Sequence, residues 1–96
     1  MAEIMPMAEV EPVLFGVLKI KWCDGYVGLV DLRPVLADGE MFAFLRRDEN
    51  RFFKVALESR GHKIFWRDED NDEIDFGSFP LRGQAERQAE ILRLAS

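Results

Sequence analysis

The chain has 96 residues, 48% of them hydrophobic and 32% charged, with a formal net charge of −5. That length holds one modest core and not two, and the excess of acid argues against a nucleic-acid backbone, a free polyanion or an anionic membrane as the main partner. A single cysteine, Cys23, excludes an intrachain disulfide and a cysteine-based zinc site, so the expected compartment is a reducing cytoplasm.

In chain order, residues 1–9 read as a flexible tail, and residues 10–96 as one domain. The opening acids and prolines do not resemble a secretory signal, and no apolar run approaches the roughly 20 residues that a membrane-spanning helix needs. Val10 to Leu14 suits a short edge strand, the place where Pro12 is tolerated, and Gly16 permits a bend. Val17 to Leu32 then reads as a β-hairpin turning at Asp24-Gly25, the pair favoured by a two-residue type I′ turn. That turn sets Trp22 opposite Val27 and Ile20 opposite Leu29. Leu18, Ile20, Trp22, Val27 and Leu29 therefore share the apolar face, with Lys19 and Lys21 behind.

Asp31 stands ahead of Pro34 as a capping acid for a helical turn over residues 33–37, stopped at Asp38-Gly39. A second short helix is expected over residues 40–47, with Met41, Phe42, Phe44 and Leu45 at helical spacing. A second hairpin follows. Phe52 to Glu58 forms one strand, with Phe53, Val55 and Leu57 on a shared face, and Lys63 to Arg67 returns, with a Glu58–Lys63 ion pair closing it. Residues 67–75 read as an acidic loop, and residues 80–95 as an amphipathic helix. Its apolar arc holds Leu81, Ala85, Ala89, Ile91, Leu92 and Ala95, and Arg82, Glu86, Arg87, Glu90 and Arg93 lie opposite. The fold class is α+β: a small antiparallel sheet from two hairpins, two short helices between them, and one C-terminal helix.

Candidate chemistry is sparse. Asp68, Asp70 and Asp72 alternate like a calcium loop, but Glu73 and Phe79 stand where glycine and the bidentate glutamate belong, so a solvated loop is expected. His62 is the only histidine and has no companion ligand or nucleophile. Cys23 reads as an incidental thiol, and neither a nucleophile elbow nor a phosphate-binding glycine loop is present. No catalytic residue, cofactor or metal is assigned.

The aromatics say more. Trp22 and Trp66 belong to the inner faces, whereas Tyr26, Phe52 and Phe65 belong to the outer ones. Outer-face aromatics that the helices do not cover suggest a partner surface, and Gln84 and Gln88 inside the helix's apolar arc suit a helix contact. The expected interface is Tyr26, Phe65, Gln84, Gln88 and Leu92.

The succession Trp22-Cys23-Asp24-Gly25-Tyr26, Val30-Asp31-Leu32-Arg33-Pro34, Met41-Phe42-Ala43-Phe44-Leu45, Arg51-Phe52-Phe53-Lys54-Val55 and Ile64-Phe65-Trp66 resembles domain-of-unknown-function family 2442, over residues 10–82. The resemblance implies a small prokaryotic α+β domain, often encoded beside another short protein in a toxin–antitoxin-like arrangement. Some members carry a C-terminal helix-turn-helix; here only one helix follows Phe79. The family brings no catalytic residues.

The reading is a non-enzymatic cytoplasmic interaction domain that binds a protein partner or itself, as the antitoxin-like or regulatory member of a small pair. Its alternative is a nucleic-acid-linked transcriptional regulator using Arg46, Arg47, Arg51 and Arg60 as a basic patch. A third class is a small-ligand binder or an enzyme.

Overall fold

The structure, a computed structural model, describes residues 5–95, with side chains through residue 94. Residues 1–4 of the expected tail and the side chain of Ala95 lie outside the described residues. The chain forms two three-stranded antiparallel sheets and a long C-terminal helix. Sheet one takes β1 (Met7–Leu14), β2 (Val17–Trp22) and β3 (Val27–Asp31) in that order. Two helical turns follow, α1 (Arg33–Leu36) and α2 (Ala43–Arg47), with 3₁₀ segments at Glu40–Phe42 and Glu49–Lys54. Sheet two takes β4 (Ala56–Leu57), β5 (Lys63–Arg67) and β6 (Glu73–Gly77), and α3 (Ser78–Ala95) closes the chain. The α+β class is as the pattern predicts.

Both sheets feed one core. Leu18, Ile20, Trp22 and Val30 from sheet one meet Ile64, Trp66 and Ile74 from sheet two, and Leu36, Leu45, Phe52, Leu81 and Ala85 fill in from the helical segments. Trp22 and Trp66 are core residues, 0% and 2% exposed. Phe52 sits at the centre of an aromatic group: its ring centroid lies 5.5 Å from Trp66 and 5.4 Å from Phe15. The Trp66 indole also donates to the Phe52 carbonyl at 2.9 Å.

The hairpin exists, but its register differs by one residue. Lys21 pairs with Val27, Ile20 with Gly28 and Lys19 with Leu29. Only Gly25 has positive φ in this turn (91°), Gly25 N–H donates to the Trp22 carbonyl, and Trp22 N–H donates to the Tyr26 carbonyl. This is a type I turn followed by a left-handed glycine, a three-residue loop in place of the expected two. One residue of slip reverses the faces of β3. Gly28 and Val30 turn inward, as does Tyr26, which the two-residue turn puts outside but which packs against the core with its ring centroid 5.9 Å from Trp22; Val27 and Leu29 join Lys19 and Lys21 outside, 48% and 49% exposed.

Three further expectations are corrected. First, β1 begins at Met7, and Met7 is buried, so the expected tail already belongs to the sheet there. Second, the strand expected from Phe52 is a 3₁₀ segment that leaves only Ala56–Leu57 extended. The winding turns Phe52 inward, not outward, and separates Phe53, which is exposed, from Val55 and Leu57. The Leu57–Ile64 pairing holds, but Lys63 pairs with Glu73 and Asp75 rather than with Glu58. Glu58 instead accepts from the backbone N–H groups of Arg60 and His62 in the turn. Third, the acidic loop is shorter than expected, because Glu73–Gly77 is a strand with Ile74 in the core and Phe76 packed against it.

The N-terminal residues join the sheets. Met7 N–H donates to the Gly61 carbonyl at 2.7 Å, and the Pro6 carbonyl accepts from Cys23 N–H at 2.9 Å. Gly61 leaves no room for a side chain there, since a Cβ would stand 2.3 Å from the Met7 carbonyl oxygen.

Candidate functional site

The hairpin tip is fastened to α3 by Arg82. Its guanidinium lies 3.0 Å from the Asp24 carboxylate, 4.2 Å from the centre of the Tyr26 ring and 5.3 Å from that of Trp22. The bond from Arg82 holds the Asp24 carboxyl below the usual carboxylate range. The helical wheel places Arg82 on the solvated side, and the structure sets it instead over two aromatic rings. Further along, Gly28 of β3 approaches Ala85 so closely that a Cβ at position 28 would lie 2.9 Å from the alanine methyl.

Beyond that contact the helix runs along the free edge of β3. In an antiparallel ladder alternate residues exchange both backbone bonds with their partner, and the intervening ones point away. The bonds at Trp22–Tyr26 and Gly16–Leu32 set the phase, so Val27, Leu29 and Asp31 direct N–H and C=O away from β2. At Asp31 the helix answers both groups: Gln88 Oε1 accepts from Asp31 N–H at 3.0 Å, and Gln84 Nε2 donates to its carbonyl at 2.6 Å. The Asp31 carboxylate binds the Arg33 guanidinium and backbone N–H, and the Arg33 side chain, first among these, lowers its pKa. Asp31 thus joins strand, helix and the start of α1.

Between the outer face of β2–β3 and the C-terminal half of α3 lies an open groove of about 770 Å³. Val27, Leu29 and Tyr26 form one side, Ala89, Ile91 and Leu92 the other, and Lys19 and Arg33 stand on its rim. The apolar stripe of α3 is buried at Leu81 and Ala85 but overhangs the body further on, leaving Ile91 and Leu92 each 64% exposed.

Of the expected interface, Tyr26, Gln88 and Leu92 line this groove, and Gln84 binds the strand edge beside it. Phe65 does not join them. It lies on the outer face of sheet two, near the guanidinium of Arg67 and the ammonium of Lys63, in a separate shallow concavity with Phe44, Arg51 and Lys54. Val27 and Leu29, the principal apolar residues of the groove, are core residues under a two-residue turn. A three-residue loop, equally compatible with the glycine, would have exposed them.

Three of the four arginines of the expected basic patch are drawn into local side-chain contacts. Arg46 donates to the Leu36 carbonyl, Arg51 stacks on Phe44 and pairs with Glu69 at 3.2 Å, and Arg47 approaches the same Glu69. Asp68, Asp70 and Asp72 bring carboxylate oxygens within 4.8 Å of one another. There Asp68 accepts from the backbone N–H groups of Asp70 and Asp72 and so builds its own turn. His62 and Cys23 are exposed. No helix among the described residues is long and apolar enough to cross a membrane.

No protein-family model, curated protein or solved structure matches the chain.

Proposed function

We propose that this chain is a non-enzymatic interaction domain that docks a protein partner in the groove between β3 and α3. One observation carries the reading: Val27, Leu29, Ile91 and Leu92, each about half or more exposed, line a single groove and so gather apolar surface in one concave place. The resemblance of its ordered motifs to domain-of-unknown-function family 2442 supports a place in a two-protein prokaryotic system, in the cytoplasm, as its antitoxin-like or regulatory member.

The test is a Leu29→Glu/Leu92→Glu double variant of the full chain, compared with the wild type for melting temperature, mass by light scattering and retention of proteins from native lysate. Both sites are exposed, so the variant keeps the wild-type melting temperature within a few degrees and loses the partner or the self-association. Identical mass and identical retention in the two proteins would remove the groove from consideration.

A further inference from the structure

We propose that the free edge of β3 takes up an extended acidic–apolar peptide segment as an added strand. This rests on the groove being the docking surface and names the chemistry of what fills it.

The backbone makes the first part of the case. Three residues of β3 point N–H and C=O away from the sheet, and the helix satisfies only Asp31, through two glutamine amides. Those amides supply the donor and acceptor that a neighbouring strand would supply. Val27 and Leu29 present the same pair of groups to the groove, and no protein group among the described residues binds them. A sheet edge flanked by an apolar wall is the arrangement used in strand addition, where main-chain bonds give affinity and alternate side chains give specificity.

Side chains define the occupant. On the inner side, Gly28 lies against Ala85, so the residues of an added strand that face this way must be small. On the outer side, Leu29 and Leu92 receive an apolar side chain. The charge of the outer face is positive beside β3. Lys19 lines the groove, Lys21 lies next to it, and neither forms an ion pair among the described residues, although Glu11 and Glu9 stand opposite them in register. Arg33 closes the far end, partnered by Asp31. The complement is a strand with acid at both ends, small residues at alternate positions and an apolar centre.

The probe is acetyl-Glu-Ala-Val-Ala-Glu-amide, titrated to millimolar concentration into ¹⁵N-labelled full chain. Its controls are the same peptide N-methylated at valine and the peptide with lysine in place of both glutamates. Binding shifts the amide resonances of Val27 and Leu29, slows their hydrogen exchange and leaves Asp31 unchanged; each control binds at least tenfold more weakly. Equal binding of the N-methylated peptide would overturn strand addition and leave a side-chain groove standing. Equal binding of the lysine peptide would overturn the acidic assignment. No shift at Val27 or Leu29 with any peptide would also overturn the inference, while the Leu29/Leu92 double variant decides the broader reading independently. A concentration-dependent mass increase that the double variant abolishes would assign the groove to a second copy of the chain, and strand addition by a peptide would fall.

Discussion

The indole Nε1 of Trp22 donates to the hydroxyl of Ser78, 3.0 Å away and 56 residues later in the chain. The same hydroxyl donates to the Met5 carbonyl, so one serine links the first hairpin, the start of α3 and the N-terminal segment. Both Trp22 and Ser78 are buried, so neither group can turn to water instead. Ser78→Ala leaves the indole N–H and the Met5 carbonyl without this partner, at a cost of about 1–3 kcal/mol. Urea denaturation followed by tryptophan fluorescence measures it. A loss below the error of the extrapolation would show that the bond is dispensable.

Gly28 and Ala85 form a matched pair of small residues. Gly28→Ala forces a methyl into 2.9 Å contact with the Ala85 methyl and 3.1 Å contact with the Tyr26 ring, and overpacking of this kind costs about 1–3 kcal/mol. Ala85→Gly alone costs about 1 kcal/mol, for glycine inside a helix. The double variant is expected to be less destabilised than the sum of the two, and a thermodynamic cycle measures that coupling. Strict additivity would place the strain elsewhere.

Gln88→Ala removes the acceptor from Asp31 N–H and leaves the fold otherwise untouched, because the glutamine is only half-buried. Hydrogen exchange at Asp31 should quicken toward the rate at Leu29, with no change at Ile20 or Val30 in the body of the sheet. The opened edge also raises the tendency to self-associate. Uniform acceleration across the sheet would mean that the glutamine stabilises the domain rather than its margin.

The Asp24–Arg82 contact gives an acid-side dependence. The folded-state pKa of Asp24 is lowered, first by the Arg82 side chain and then by the Tyr26 backbone N–H. The carboxylate's contribution is therefore complete above its unfolded-chain pKa and is lost as pH falls through the lower folded value. Arg82→Gln should move the Asp24 titration, followed by carboxyl NMR, back toward the ordinary range and flatten stability against pH on the acid side. An unmoved midpoint in the variant would assign the shift to the turn backbone.

How much of this was legible in the sequence depended on loop geometry more than on hydrophobic pattern. Lys19 and Lys21 alternating with Leu18, Ile20 and Trp22 placed β2 correctly, and the spacing of Leu81 and Ala85 placed the packed side of α3. The partner strand is not fixed by its own pattern, because Asp-Gly serves more than one hairpin loop, and a single extra loop residue exchanges Val27 for Gly28 at the core. A glycine facing inward carries no hydrophobic signal at all. Phe52 was misplaced because alternation through Phe53, Val55 and Leu57 resembles a strand, whereas the chain winds as 3₁₀ up to Lys54 and turns Phe52 inward. β6 was hidden by its charges: Glu73 and Asp75 lie on the outer face and pair with Lys63, leaving Ile74 as the only fully buried side chain of the strand. Gln88 and Leu92 fall on one surface because they share an arc of the helix, whereas Tyr26 reaches the groove from the core side of β3 and not from the outer face expected of it. That Phe65 belongs elsewhere follows from two separate sheets, which local patterns do not reveal.

The fastening of Met5–Met7 bears on how the chain is made. Position 7 needs the carbonyl of Gly61, and position 5 needs the hydroxyl of Ser78, so this segment is completed only by partners far along the chain. Local hairpins can form during synthesis, but the two halves are locked together only once Ser78 is in place. Closure is therefore slow relative to local turn formation. A nascent chain stalled before residue 78 would hold Trp22 in a half-made environment, a natural substrate for a chaperone.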